Sequence, residues 1–176
     1  MVNQKGVTVW FTGLPCSGKT TIADKVAEFL SAKGYKVERL DGDSFRKELS
    51  IDVGFSKEDR EENLRRAAYV AKLLTRNGVI VLASFVSPYS KTRNKIRNEI
   101  GDFIEVYVEC SPEICKKRDV KGMYKKALAG EIKDFTGVND PYEIPESPEI
   151  VIDTNKNNVE ESANIILKKL RELRYI

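Results

Sequence analysis

Residues 13–20 read Gly13-Leu14-Pro15-Cys16-Ser17-Gly18-Lys19-Thr20, and this octapeptide decides the fold class. It matches G-x-x-x-x-G-K-[ST], in which a glycine-rich turn wraps a phosphate. The flanks give the match its weight. Upstream, Val7, Val9 and Phe11 alternate with Thr8, Trp10 and Thr12, a strand over Gly6–Thr12. Downstream, Ile22, Ala23, Val26, Phe29 and Leu30 recur at helical spacing. Strand, turn and helix N-terminus together point unpaired backbone N–H groups and a positive helix end at one anion. On this reading Gly13–Thr21 cradle a nucleoside triphosphate, Lys19 reaches its β- and γ-phosphates, and Thr20 holds Mg²⁺.

The rest of the chain continues the alternation. Tyr35–Leu40 is a second strand after the stop Lys33-Gly34. Ser56 with Asp59 starts a long helix in capping-box fashion, striped by Leu64, Ala67, Ala68, Ala71 and Leu74 and closed by Asn77-Gly78. Val79–Ala83 is nearly all apolar, as a parallel strand covered on both faces must be. Pro88 is expected to open another helix, and Phe103–Val108 to form the fourth strand. Ser111-Pro112-Glu113 caps a short helix, Ile150–Ile152 is the fifth strand, and Val159–Leu173 the last helix. The sum is one domain over 1–176, a P-loop three-layer α/β/α fold with a mostly parallel five-stranded sheet and ligands at the strand C-termini.

Composition narrows the function. The chain has 176 residues, 41% hydrophobic and 32% charged, with no apolar run long enough to span a bilayer. Thirty Lys and Arg against 27 Asp and Glu give +3, weak support for a nucleic-acid partner, and none is expected. The first strand begins at once, so no signal peptide is expected, and the cytoplasm is the expected compartment. With no histidine, acid–base work falls to carboxylates or lysines. Cys16, Cys110 and Cys115 form neither a disulfide framework nor a zinc spacing.

Three further stretches fall at the ligand edge. Asp41-Gly42-Asp43, with Arg46, follows the second strand; its carboxylates suit an acceptor hydroxyl or a Mg²⁺ water shell, or else simply cap a helix. In Phe55–Arg66, Arg60, Asn63 and Arg66 lie three apart on one helix side, suited to an anionic, hydrogen-bonding acceptor or to solvent. Val86-Ser87-Pro88-Tyr89 leaves the third strand, where Ser87 is either a site residue or a plain helix cap. No carboxylate ends Val79–Ala83, which argues against a motor ATPase or a switch GTPase and fits a small-molecule kinase. Residues 119–148 break the alternation with Gly122, Gly130, Gly137 and three prolines, and read as a lid over about 119–145.

Taken in order and spacing, these stretches resemble adenylylsulfate kinase. The resemblance adds Arg118-Asp119, Lys121-Gly122, Tyr124-Lys125-Lys126-Ala127, Phe135-Thr136-Gly137 and Asp140-Pro141-Tyr142-Glu143, and covers residues 5 to 170. It implies transfer of the γ-phosphoryl of ATP, with Mg²⁺, to the 3′-hydroxyl of adenosine 5′-phosphosulfate, in a stand-alone homodimer. It further implies that Asp41 orients or deprotonates that hydroxyl and that Asp43 supports it. Arg46, Arg60 and Asn63 hold the phosphosulfate nucleotide, Phe55 and Phe135 sandwich its adenine, and Val86, Ser87 and Lys121 lie near it. Arg118 packs on the ATP adenine. Ser87 matches a serine discussed as a phosphoryl carrier, although direct transfer needs only alignment and charge stabilisation. Two departures stand out: Pro15-Cys16 where many relatives have Ser-Gly, and Asp134 where a glycine is common; Asp134 is expected to face solvent. The rival readings are another small-molecule kinase of this fold and an idle binding module. Within the first, acting on a nucleoside monophosphate, a sugar acid or shikimate, a sugar-acid acceptor has no use for Phe55 and Phe135, and the second has none for Lys19, Thr20, Asp41 and Asp43 kept together.

Overall fold

The structure is a computed structural model, and it describes residues 4–176. Strand β1 (Val7–Thr12) is the centre of a five-stranded parallel sheet ordered β2-β3-β1-β4-β5, with β2 at Val37–Asp41, β3 at Ile80–Ser84, β4 at Phe103–Glu109 and β5 at Ile150–Asp153. All six residues of β1 are buried, because helices cover both faces. Its alternation sorts two cores. Val7, Val9 and Phe11 enter the core beneath helices α1 (Lys19–Ala32) and α7 (Val159–Glu172). Trp10 enters the opposite core, beneath α2 (Gly42–Leu49), α3 (Lys57–Arg76) and α4 (Ser90–Ile100), where it stacks on Phe85 at 5.0 Å and on Phe103 at 6.1 Å. Thr8 on that face is satisfied by Thr75 of α3, hydroxyl to hydroxyl at 2.8 Å.

The capping box of α3 forms as its sequence predicts, with Ser56 and Asp59 bonding each other's backbone N–H groups. Three expectations shift. The second strand starts at Val37 rather than Tyr35, because the Tyr35 N–H still closes the end of α1 on the Leu30 carbonyl. Pro88 does not open a helix: α4 starts at Ser90, after Tyr89 in extended conformation. Ser87, at φ 41, turns the chain before Pro88, and its buried hydroxyl caps nothing. The eight-residue α2 has only Phe45 buried, too short a stripe to be read from periodicity.

The turn between β3 and α4 is fixed from below. Arg93, buried in α4, pairs with buried Glu105 of β4 at 2.9 Å and donates to the Ser87 carbonyl at 2.7 Å. Arg97 extends the network to Glu105 and Glu149. Breaking one partner of such a buried pair typically costs about 3–5 kcal/mol, so this strand-to-helix turn is held firmly at the ligand edge. Helices α5 (Pro112–Arg118) and α6 (Met123–Leu128) precede an irregular stretch that runs to β5.

Candidate active site

The octapeptide between β1 and α1 coils around its own backbone. Ser17 N–H donates to the Leu14 carbonyl at 3.2 Å, and Gly18, at φ 104, leads into the helix. Gly13 has φ 150, and a Cβ there would lie 2.5 Å from the Val108 carbonyl, so only glycine fits. Lys19 is buried and donates to the carbonyls of Gly13 at 3.0 Å and Leu14 at 2.7 Å. Burial disfavours its ammonium and lowers its pKa from the ordinary 10.5 to about 8. The first intrahelical bond runs from Ile22 N–H to the Gly18 carbonyl, which leaves the N–H groups before it without helical acceptors. Thr21 is exposed in the first turn of α1.

Asp41 does two things at once. It ends β2 and caps α2, its Oδ1 accepting from the N–H groups of Asp43 at 3.1 Å and Ser44 at 3.4 Å. Its Oδ2 accepts from the Thr20 hydroxyl at 2.9 Å. The capping role and a site role are therefore compatible, one oxygen for each. Exposed Asp43 pairs with Lys121, whose pKa is raised chiefly by that hydrogen bond. Residues 20, 41, 43 and 121 thus meet at the C-terminal ends of β1 and β2.

Beyond them lies α3. Arg60 points away from solvent, donating to the Thr136 hydroxyl at 2.6 Å and the Asp140 carboxylate at 3.0 Å. Asn63, one turn on, is buried, and its Oδ1 has no hydrogen-bond partner. Arg66 does not join them. It is bound by Asp52 and Glu62 and donates to the Leu49 carbonyl, so it braces the α2–α3 connection. Arg46 donates to the carbonyls of Val53 and Gly54 and lies over the Phe55 ring at 4.5 Å, with its pKa lowered by burial. Phe55 itself is 64% exposed.

Ser87 sits in a closed network. Trp10 Nε1 donates to its Oγ at 3.1 Å, and Oγ donates to Thr12 at 3.0 Å. Thr12 donates in turn to the carbonyl of half-buried Val86 at 2.8 Å and accepts from the Tyr142 hydroxyl at 2.9 Å.

The segment 119–145 rests on the phosphate loop through a third apolar cluster of Cys110, Cys115 and Tyr124, with Leu14, Cys16, Phe135 and Val138 against it. Tyr124 donates to the Pro15 carbonyl at 3.1 Å and meets Phe135 edge-on at 5.0 Å. Asp140 accepts from Arg60 and from Tyr89. Asp134 is exposed, as expected, and has φ 56. Cys16, the other departure, has φ 61. Both non-glycine residues therefore occupy left-handed backbone, where glycine is unstrained.

Arg118 ends α5 beside the loop, donating to the carbonyls of Ser17 at 3.3 Å and Thr154 at 3.0 Å. Thr154, directly after β5, also touches this corner and was not among the residues singled out in the sequence. Its signal was position alone, the C-terminal end of a parallel strand. No helix among the described residues is long and apolar enough to cross a membrane.

The family model for adenylylsulphate kinase matches residues 5–153. An adenylyl-sulfate kinase of Halothermothrix orenii is 57% identical over 100% of this chain and 95% of its own length. One from a Picosynechococcus species is 54% identical over 99% of both chains. Among solved structures, a Mycobacterium tuberculosis APS kinase in complex with AMPPNP and APS superposes with a TM-score of 0.91, at 41% identity, covering 96% of this chain and 99% of that one.

Proposed function

The chain belongs to the adenylylsulphate kinase family, and we propose that it transfers the γ-phosphoryl of ATP to the 3′-hydroxyl of adenosine 5′-phosphosulfate. The observation that carries this reading is one juxtaposition: Asp41, held by its cap, turns a free carboxylate oxygen to Thr20 of the phosphate loop. Donor phosphates and an acceptor hydroxyl can then meet at one point.

Each residue has a part. Backbone N–H groups of Gly13–Thr21 take the β-phosphate, and Lys19 exchanges its loop carbonyls for the β- and γ-phosphate oxygens. Asp41 orients the acceptor hydroxyl and takes its proton as the bond to phosphorus forms. Asp43 supports it and tethers Lys121, a cation for the transferring charge. Arg46, Arg60 and Asn63 hold the phosphosulfate nucleotide, and the unpartnered Oδ1 of Asn63 supports a hydrogen-bonding ligand there. Phe55 and Phe135 stack its adenine, Val86 lines the pocket, and Arg118 takes the ATP adenine. Ser87 is 2% exposed, with its proton and a lone pair engaged, which supports direct transfer over a phosphoserine route. Thr20 and Asp41 are hard oxygen donors suited to Mg²⁺, directly or through water. Mg²⁺ there would neutralise phosphate charge. The working form is a cytoplasmic homodimer, and segment 119–145 is a lid that excludes water during transfer.

The test is turnover with ATP and adenosine 5′-phosphosulfate beside AMP, gluconate and shikimate. Only the phosphosulfate should be phosphorylated efficiently. Asp41→Asn should keep ATP affinity and lose most of kcat, and equal kcat from pH 6 to 9 would remove Asp41 from the reaction.

A further inference from the structure

Half-buried Thr154 makes contacts that no catalytic step above uses. Its backbone is fixed, since its N–H donates to the Glu109 carbonyl at 2.9 Å and continues the β4–β5 ladder. Its Oγ1 lies 3.0 Å from the Ser17 carbonyl, 3.2 Å from the Glu109 carbonyl and 3.2 Å from Arg118 Nη1. A hydroxyl has one proton, so it donates to one carbonyl and accepts from the guanidinium. Its methyl covers the last turn of the loop: a Cβ on Gly18 would meet Thr154 Cγ2 at 3.7 Å. The neighbouring Asn155 braces the turn, accepting from Ser111 N–H at 3.2 Å and donating to Asp153.

Arg118 gains the most from this. It ends a seven-residue helix and is exposed, so by itself its side chain would sample many rotamers. Thr154 engages both terminal nitrogens, Nη1 through its hydroxyl and Nη2 through its carbonyl. Ser17 and Cys110 complete the edge around Nη1. With both terminal nitrogens engaged along that edge, the planar face is what remains for a stacked base.

We propose that Thr154 is a positioning residue that locks the Arg118 guanidinium against the phosphate loop, presenting its face to the base of the nucleotide donor. The proposal rests on ATP being that donor.

The test is Thr154→Val, which keeps shape and removes the hydroxyl. Loss of one ordinary net hydrogen bond among the several that hold the guanidinium should raise the KM and Kd for ATP about 5- to 10-fold. kcat and the acceptor KM should stay within about twofold, and Thr154→Ser should restore ATP binding. Inorganic tripolyphosphate, which has no base, should bind both forms equally. Thr154→Val combined with Arg118→Ala should be no weaker for ATP than Arg118→Ala alone. An unchanged ATP Kd overturns the proposal. So does equal weakening of tripolyphosphate, or a double variant whose losses multiply. Thr154→Ala runs the same series if the valine form does not fold. If the wild type binds ATP but phosphorylates no acceptor, the functional reading falls while calorimetry with ATP still decides Thr154.

Discussion

Residues 13–20 hold their shape largely through contacts inside the octapeptide, whereas residues 119–145 take theirs from partners far along the chain. The Ser17 N–H reaches back to Leu14, and the Lys19 ammonium to Gly13, Leu14 and Ser17. In the second region Tyr124 binds Pro15, Lys121 binds Asp43, and Asp140 binds Arg60 and Tyr89. The first is a unit that a short sequence can specify. The second exists only once the sheet has brought its partners together. Their lysines differ in the same way, Lys19 lowered by burial and Lys121 raised by an opposite charge.

The sharpest way to break the comparison is Lys19→Ala. If the loop supplies the transition-state charge, kcat should fall about 10²-fold or more. Near-normal kcat would hand that role to Lys121 and the second region.

Next come Phe55 and Phe135, the two aromatics proposed above to stack the acceptor's adenine. Stacking on a base is worth about 1–3 kcal/mol, so Phe55→Ala and Phe135→Ala should each raise the acceptor Kd about 5- to 150-fold, with ATP less affected. Phe135 also packs on Tyr124, so only its substitution should lower the melting temperature. Calorimetry and thermal melts separate the two, and unchanged acceptor affinity in both variants would remove the pair from the site.

Protonation of Lys19 gives a smaller effect. Its pKa of about 8 in the folded chain lies below the ordinary 10.5, so between these values the unfolded chain binds more protons. Without nucleotide, this group therefore adds stability as pH rises through that window. Bound phosphates favour the ammonium, so ATP binding above pH 8 should take up a proton, and affinity should weaken by at most about tenfold per pH unit. Calorimetry in buffers of different ionisation enthalpy measures this uptake. Lys19→Ala should abolish it.

The smallest effects concern the left-handed pair. Asp134→Gly relieves strain at an exposed position and should raise the melting temperature by a degree or two, about 0.5 kcal/mol. Cys16→Gly relieves similar strain but gives up packing against the Cys110–Cys115–Tyr124 cluster, so it should be near neutral. A larger gain at Cys16 than at Asp134 would mean that packing there counts for little.

The comparison also explains what was legible. The loop, the five strands and the Ser56 capping box are written in neighbouring residues, and boundaries moved by only one or two positions. Asp41 was found because it follows a strand, though its double use as cap and Thr20 partner needed coordinates. Arg66 looked equivalent to Arg60 by spacing, but Asp52, on a connection with no periodicity, claims it. Ser87 offered a cap or a carrier, and the indole of Trp10, 77 residues away, engages its hydroxyl instead. Thr154 carried no motif at all.

Trp10 is the chain's one tryptophan, wholly buried in the middle strand between Phe85 and Phe103. Its strand pairs with residues 80–84 and 103–107, never with β2, the next strand in the sequence. On a ribosome adding about 5–20 residues per second, that indole waits several seconds for the aromatic rings that enclose it. Enclosure of that indole is consequently a late event, complete only when β1 has joined both β3 and β4.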